Sequence, residues 1–141
     1  MLESIFPGLI RVRYDLNSPK DVTYNCIAWA AGDTDNWWWP VGDGYWPANV
    51  PHEVTVDAFS AAYGTLGYEV CEQPELEPGV ERIALFLDMG NGRPTHAAKQ
   101  LFDGRWTSKL GKLEDIIHES LDALCGDAYG EAKVFLRRLV E

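Results

Sequence analysis

Apolar residues recur at helical spacing in two stretches of the first half of the chain and as short strand-like runs in the second. Asn25 precedes Ile27, Ala28, Trp29, Ala30 and Ala31, and Gly32 follows them, which predicts a short buried helix with an Asn N-cap and a Gly C-cap. Thr55 opens a second helix in which Val56, Phe59, Ala62, Tyr63 and Leu66 share a face, with Gly67 as its stop. Strands are predicted over 68–71, 82–88, 95–102 and 105–109, the last two joined at the hairpin signal Asp103-Gly104. In that hairpin residue 96 falls opposite residue 111, with Ser108 diagonally nearer the turn. A brief extended segment is expected around Ile10, Val12 and Tyr14. Ile116, Ile117, Leu121 and Leu124 predict an amphipathic helix beginning near Glu114, and Val134, Phe135, Leu136 and Leu139 a closing helical segment. Between the first two helices, residues 33–52 lack either period and are rich in Trp, Gly, Asp and Pro, the pattern of a long structured loop.

A length of 141 residues with 46% apolar content implies a single domain, residues 1–141, with ample core. The net charge of −10 opposes binding to nucleic acid or to anionic membranes. No apolar run approaches the roughly 20 residues of a spanning helix. Residues 1–7 have neither a basic nor an apolar signal region, so a cytoplasmic protein is expected. Cys26, Cys71 and Cys125 are odd in number, widely spaced and without a CxxC pair, which argues against a disulfide framework and a four-ligand zinc site. Neither a metal nor a cofactor is expected.

Chemistry concentrates on Cys26, placed in the first turn of the first helix, where the helix dipole favours a thiolate below the roughly 8.5 of a free thiol. His96 starts a strand beside the small residues Ala97 and Ala98, with room to face that terminus as general base. Ser108, on the next strand across the hairpin, is the candidate to orient the imidazole. Asn25 is a candidate oxyanion donor as well as a cap. Asp115 and His118, read as an i, i+3 pair on a helix, share a face from which Asp115 can orient His96. Trp37, Trp38, Trp39, Tyr45 and Trp46 are candidates to line a substrate cleft or to pin the loop to the domain.

The segments Tyr24-Asn25-Cys26-Ile27-Ala28-Trp29-Ala30-Ala31-Gly32, Pro94-Thr95-His96-Ala97-Ala98, residues 104–111 and Glu114-Asp115-Ile116-Ile117-His118 resemble those of a family of small uncharacterised bacterial proteins. More remotely, the order Cys on a helix and then His on a sheet resembles the papain-like cysteine hydrolases, including the NlpC/P60 and CHAP amidases. That resemblance implies an α+β fold with a Cys-bearing helix packed on a small antiparallel sheet. It makes Cys26 the nucleophile, His96 the base, a residue near Ser108 the third member, and Tyr24 a further orienting candidate. It places Tyr14, twelve residues before Cys26, where NlpC/P60 proteins carry a cleft tyrosine.

The expected activity is cleavage of a peptide or protein amide through an acyl-enzyme, with acyl transfer or deamidation open to the same residues. The alternative is a non-catalytic binding, immunity or adaptor module of the same fold that uses the tryptophan loop as its interface, its acidity suited to a basic protein partner. A third reading, a metal-dependent hydrolase, would draw on His96, His118 and Asp115.

Overall fold

The computed structural model describes residues 2–140. A helical turn α1 (Leu2–Ile5) and a 3-10 turn (Pro7–Ile10) lead into strand β1 (Tyr14–Ser18), and helices α2 (Cys26–Ala31) and α3 (Val56–Gly64) follow. Strands β2 (Glu69–Cys71), β3 (Val80–Leu87), β4 (Pro94–Gln100), β5 (Trp106–Lys109) and β6 (Asp115–His118), a 3-10 turn (Leu121–Leu124) and β7 (Glu131–Leu139) complete the chain. The expected α+β class holds, but the sheet is larger than expected. Seven strands run antiparallel in the order β1-β6-β5-β4-β3-β7-β2.

Both helix caps form as the sequence indicates: the Asn25 and Thr55 side chains accept from the amides of Ala28 and Ala58. Gly32 closes α2 in the left-handed region, which a residue with a Cβ enters at a cost. The chain turns at Asp103-Gly104 as expected, but through a three-residue loop, 102–104, closed by Leu101 N–H donating to the Arg105 carbonyl at 2.7 Å, so the register is one residue off the expected one and residue 96 aligns with 110 rather than 111.

Two predicted helices are strands. Residues 115–118 form β6, paired with β5 and β1, and residues 131–139 form β7, paired with β3 and β2. In both, an apolar run that fits helical spacing is claimed by neighbouring strands, and the β-branched Ile116, Ile117 and Val134 suit a pleated surface. The extended segment expected at Ile10 and Val12 begins later, at Tyr14, because Pro7 opens a 3-10 turn first.

Both sheet faces are covered, so β3 reads as the near-continuous run Ile83-Ala84-Leu85-Phe86-Leu87 rather than an alternation. One core joins α2, α3 and the tryptophan loop to Ile83, Leu85, Ala97 and Leu136. The other joins the N-terminal turns and Leu124 to Ala84, Phe86, Ala98, Trp106 and Ile116. β4 and β5 pair only at Lys99–Thr107 and Gln100–Trp106, so toward Pro94 and Lys109 they diverge into a fork.

Gly130 holds the entry to β7 at φ 78°, and a Cβ there would lie 1.9 Å from the Leu87 carbonyl oxygen. Gly130→Ala is therefore expected to destabilise the fold by about 2 kcal/mol or more. Thermal unfolding followed by circular dichroism measures this, and an unchanged midpoint would refute the packing argument.

Candidate active site

Asn25 does more than cap α2. Its Oδ1 accepts from Ala28 N–H at 3.1 Å and Trp38 N–H at 3.2 Å, and its Nδ2 donates to the Trp38 carbonyl at 2.7 Å. This clip draws the tryptophan loop against the start of α2. The backbone is extended through Trp37, Trp38 and Trp39, so the rings alternate. Trp38 turns into the core, stacked on Tyr63 at 6.3 Å with its indole N–H on Asp33 at 2.8 Å. Trp46 is likewise buried, 5.1 Å from Phe59, with its N–H on the Pro51 carbonyl at 3.0 Å. Trp37 and Trp39 remain half-buried, and Tyr45 lies exposed beside Trp38. Of the five candidate cleft aromatics, Trp38 and Trp46 are thus core residues, while Trp37 and Trp39 line a cleft.

That cleft, of about 280 Å³, is bounded by Asn25, Cys26, Trp37, Trp39, Thr95, Gly111 and Tyr129. Across the same two indoles a second groove of about 430 Å³ is lined by Val41, Asp43, Gly44 and Lys112. Cys26 is only 6% exposed, at the floor of the first cleft. Its side chain packs with Ala97 of β4 in the α2-side core. Ala97 lies two residues beyond the last β4–β5 pair, so Cys26 packs on β4 where the fork opens.

His96 is the residue beside that contact. Antiparallel partners share a face, so His96, opposite Phe86, projects away from α2, whereas Ala97, opposite Leu85, packs toward it. The imidazole is fully buried, stacked at 4.1 Å on Tyr129 and edge-on to Phe86. Neither ring nitrogen has a hydrogen-bond partner. The structure therefore places Cys26 and His96 on opposite faces of the sheet on either side of β4, with Tyr129 stacked on the imidazole and lining the Cys26 cleft, and makes no thiol–imidazole hydrogen bond.

Ser108 shares the His96 face but is committed elsewhere: its Oγ lies 2.8 Å from His118 Nε2. His118 Nδ1 lies 2.9 Å from the Ser120 carbonyl, which can only accept, so Nδ1 carries the proton and Ser108 donates to Nε2. The β4–β5 register, with Lys99 opposite Thr107, puts Ser108 diagonal to His96 rather than against it.

Asp115 and His118 lie on a strand, where residues three apart point to opposite faces, so the expected shared face is lost. Asp115 lies on the face away from His96, with one carboxylate oxygen on Asn17 Nδ2 at 2.8 Å, and neither orients the imidazole nor joins it as a metal ligand. Among the described residues no cluster of three His, Cys, Asp or Glu can hold a metal. Asn25 is held at both ends of its amide by α2 and Trp38, which accounts for it as a clip. Tyr24 stacks on Trp29 at 5.6 Å and covers the Lys109 ammonium at 5.0 Å, away from the imidazole. Tyr14, on the edge strand, bonds Glu3 and packs in the second core, outside the cleft. Thr95, Lys109 and Gly111 lie within the quoted segments but were given no role there, and Tyr129 lies outside them all.

Electrostatics at the site run against a resting ion pair. Burial pushes the Cys26 thiol up to about 11, opposed by backbone amides and by Lys109, so the expectation of an acidic thiol is reversed. Burial, reinforced by His118, holds His96 well below the usual imidazole range. All three cysteines are free.

Over residues 15–137 the sequence matches DUF7689, a domain of unknown function. The chain belongs to the DUF7689 family. No curated protein and no solved structure matches it. No helix among the described residues is long and apolar enough to cross a membrane.

Burial depresses His118 to about 4 from an ordinary 6.5. The unfolded chain then takes up a proton that the folded DUF7689 domain refuses, so stability is full above the unfolded value and falls as pH drops from about 6.5 toward about 4. The expected loss is about 3 kcal/mol in denaturant titrations. His118→Gln should reduce the slope, leaving the share that buried His96 contributes, and an equally steep variant would exclude His118 as a source of it.

Proposed function

We propose that the protein is a papain-like cysteine hydrolase that opens a peptide or protein amide bond. The observation that carries this reading is the Cys26 thiol at the floor of an aromatic cleft, packed in one core with Ala97, the residue that follows His96. A helix-borne cysteine meeting a His-bearing antiparallel sheet is the arrangement that the papain-like resemblance implies.

In this mechanism Cys26 Sγ attacks the substrate carbonyl while its proton passes to a nitrogen of His96. The C–S bond forms and the carbonyl π electrons move to oxygen. Collapse of the tetrahedral species breaks the C–N bond, and the departing amine takes the proton from His96. Water, deprotonated by the same imidazole, then releases the acid and restores the thiol. The mechanism requires the His96 ring, which has no polar anchor, to leave Tyr129 and pass through the opening between β4 and β5 to the α2 side. The protonated thiol and neutral imidazole favour proton transfer during attack over a preformed ion pair. A cleft of about 280 Å³ between Trp37, Trp39 and Tyr129 suits one flat or branched apolar side chain.

Turnover of short peptide aminocoumarin amides bearing aromatic or aliphatic residues tests the reading, with intact-mass detection of an acyl adduct. Cys26→Ala and His96→Ala are each expected to lose at least about 100-fold in kcat/KM. The wild-type rate should rise once, on the acid side of the usual imidazole range, and stay level across neutral pH. Cys26→Ala with wild-type turnover, or an adduct on Cys71 or Cys125 instead, would overturn the proposal.

A second reading, a non-catalytic module that seats an apolar side chain between Trp37 and Trp39, draws on the missing thiol–imidazole bond and on the commitment of Ser108 to His118. Binding of the same peptides, measured by indole fluorescence, that persists in Cys26→Ala without any turnover in the wild type would select it.

A further inference from the structure

The end of the sheet remote from Cys26 carries apolar surface that neither reading above uses. Thr95 lines the Cys26 cleft, whereas Gln100, roughly 17 Å along β4, lines a groove of about 580 Å³. Leu76, Pro78, Val80 and Leu101 form the apolar lining of that groove, and Phe102 stands at its rim. Phe102 is 94% exposed, on the turn between β4 and β5. A single exposed apolar side chain is ordinary. This ring has company: Leu76 is exposed beside it, as are Leu139, paired with Val80, and Val140, which lines the same groove.

The wall of the groove is fixed from beneath. Residues 72–78 run from β2 to β3 over that end of the sheet, and the buried Arg82 guanidinium donates to the Glu75 carbonyl at 2.6 Å, to Cys71 Sγ at 3.0 Å and to the Glu77 carboxylate. Gln100 Nε2 donates to the Pro74 carbonyl at 3.2 Å. A strap held at Pro74, Glu75 and Glu77 keeps Leu76 and Pro78 in place, so the groove is preformed and filling it costs little ordering. Its charges are already matched within the chain. Glu81 meets Lys99 at 2.5 Å and Arg138 at 2.7 Å, and Glu77 meets Arg82. Although the chain carries a net charge of −10, the charged side chains lining this groove are all paired, which favours an apolar occupant over an ionic one.

A projecting ring and a preformed apolar groove side by side on one face are the two halves of an isologous contact, in which a two-fold axis carries each ring to the other chain's groove. We propose that this face joins two copies of the chain, each seating its Phe102 in the groove of the other. Each ring removes about 150–250 Å² of its own surface and a similar area of the wall that receives it, so the two contacts bury on the order of 600–1,000 Å². Leu139 and Val140 of both chains add to this around the rim, which brings the total to the roughly 1,000 Å² at which a specific interface becomes stable. Both Cys26 clefts lie at the other end of β4 and stay open, and the pairing does not depend on what Cys26 does.

Sedimentation equilibrium across the micromolar range tests this, with salt as the second variable. Association should tighten between about 0.05 and 0.5 M salt, because salt screens the mutual repulsion of two chains of net charge −10. Phe102→Ser removes two rings per dimer and should weaken association at least about 100-fold. Since Phe102 is exposed, that variant should keep the wild-type unfolding midpoint. Benzoylphenylalanine in place of Phe102 should, on irradiation, give a product of dimer mass whose linked peptides join position 102 to residues 76–80 or 99–101. A wild type that stays monomeric throughout, a folded Phe102→Ser chain that pairs as tightly as the wild type, association that weakens with salt, or cross-links confined to residues outside the groove would each overturn the proposal.

Discussion

The amide of Asn25 is the constraint on which the site depends. A helix of only six residues has little stability of its own, and its first turn needs a partner for the orphan N–H groups. Asn25 satisfies one of these and with the same side chain fixes both backbone polar groups of Trp38. One residue therefore sets where α2 begins, where Cys26 points, and how far the tryptophan loop stands from it. Trp38 and Trp46 finish the attachment by burying their rings against Tyr63 and Phe59. The cleft wall is rigid because its neighbours are core.

The sheet adds a second constraint. Because both faces of the central strands are covered, the buried residues of β3, β4 and β5 divide between the two cores, and the site draws on both. Cys26, Lys109 and Thr107 lie on the α2 side, whereas His96, Ser108 and His118 lie on the other. The fork between β4 and β5 is where the two sides meet, and Tyr129 bridges it, contacting the His96 ring on one flank and lining the Cys26 cleft on the other. A closed ladder at that point would separate thiol from imidazole by a layer of paired backbone.

Local signals were legible and long-range ones were not. The caps at Asn25 and Thr55, the glycine stops and the Asp103-Gly104 turn act within a few residues, so the sequence suffices to place them. Ile116-Ile117 and Val134-Phe135-Leu136 are ambiguous by period alone, and only pairing with β1, β3 and β5 makes them strands. Cys26 and His96 stood out by residue type. The partner of Ser108 depends on the β5–β6 register, in which Ser108 faces Ile116 and His118 faces Trp106, and no local pattern carries that. Lys109 left a faint trace, a lone cation between Trp106 and Leu110 in an otherwise buried strand, but its ammonium is held by the Asp21 and Gly111 carbonyls, and carbonyls have no sequence signature.

Three consecutive tryptophans have a consequence for how the family can vary. In an extended segment a slip of one residue exchanges the inward and outward side chains. Trp37-Trp38-Trp39 now sends one indole inward and two to the cleft, and such a slip still leaves one inward and one in the cleft, so the plug beneath the loop and part of the aromatic wall survive it. The run is a mechanical tolerance: it lets the loop lengthen or shorten by a residue while the surface presented to a guest molecule stays aromatic.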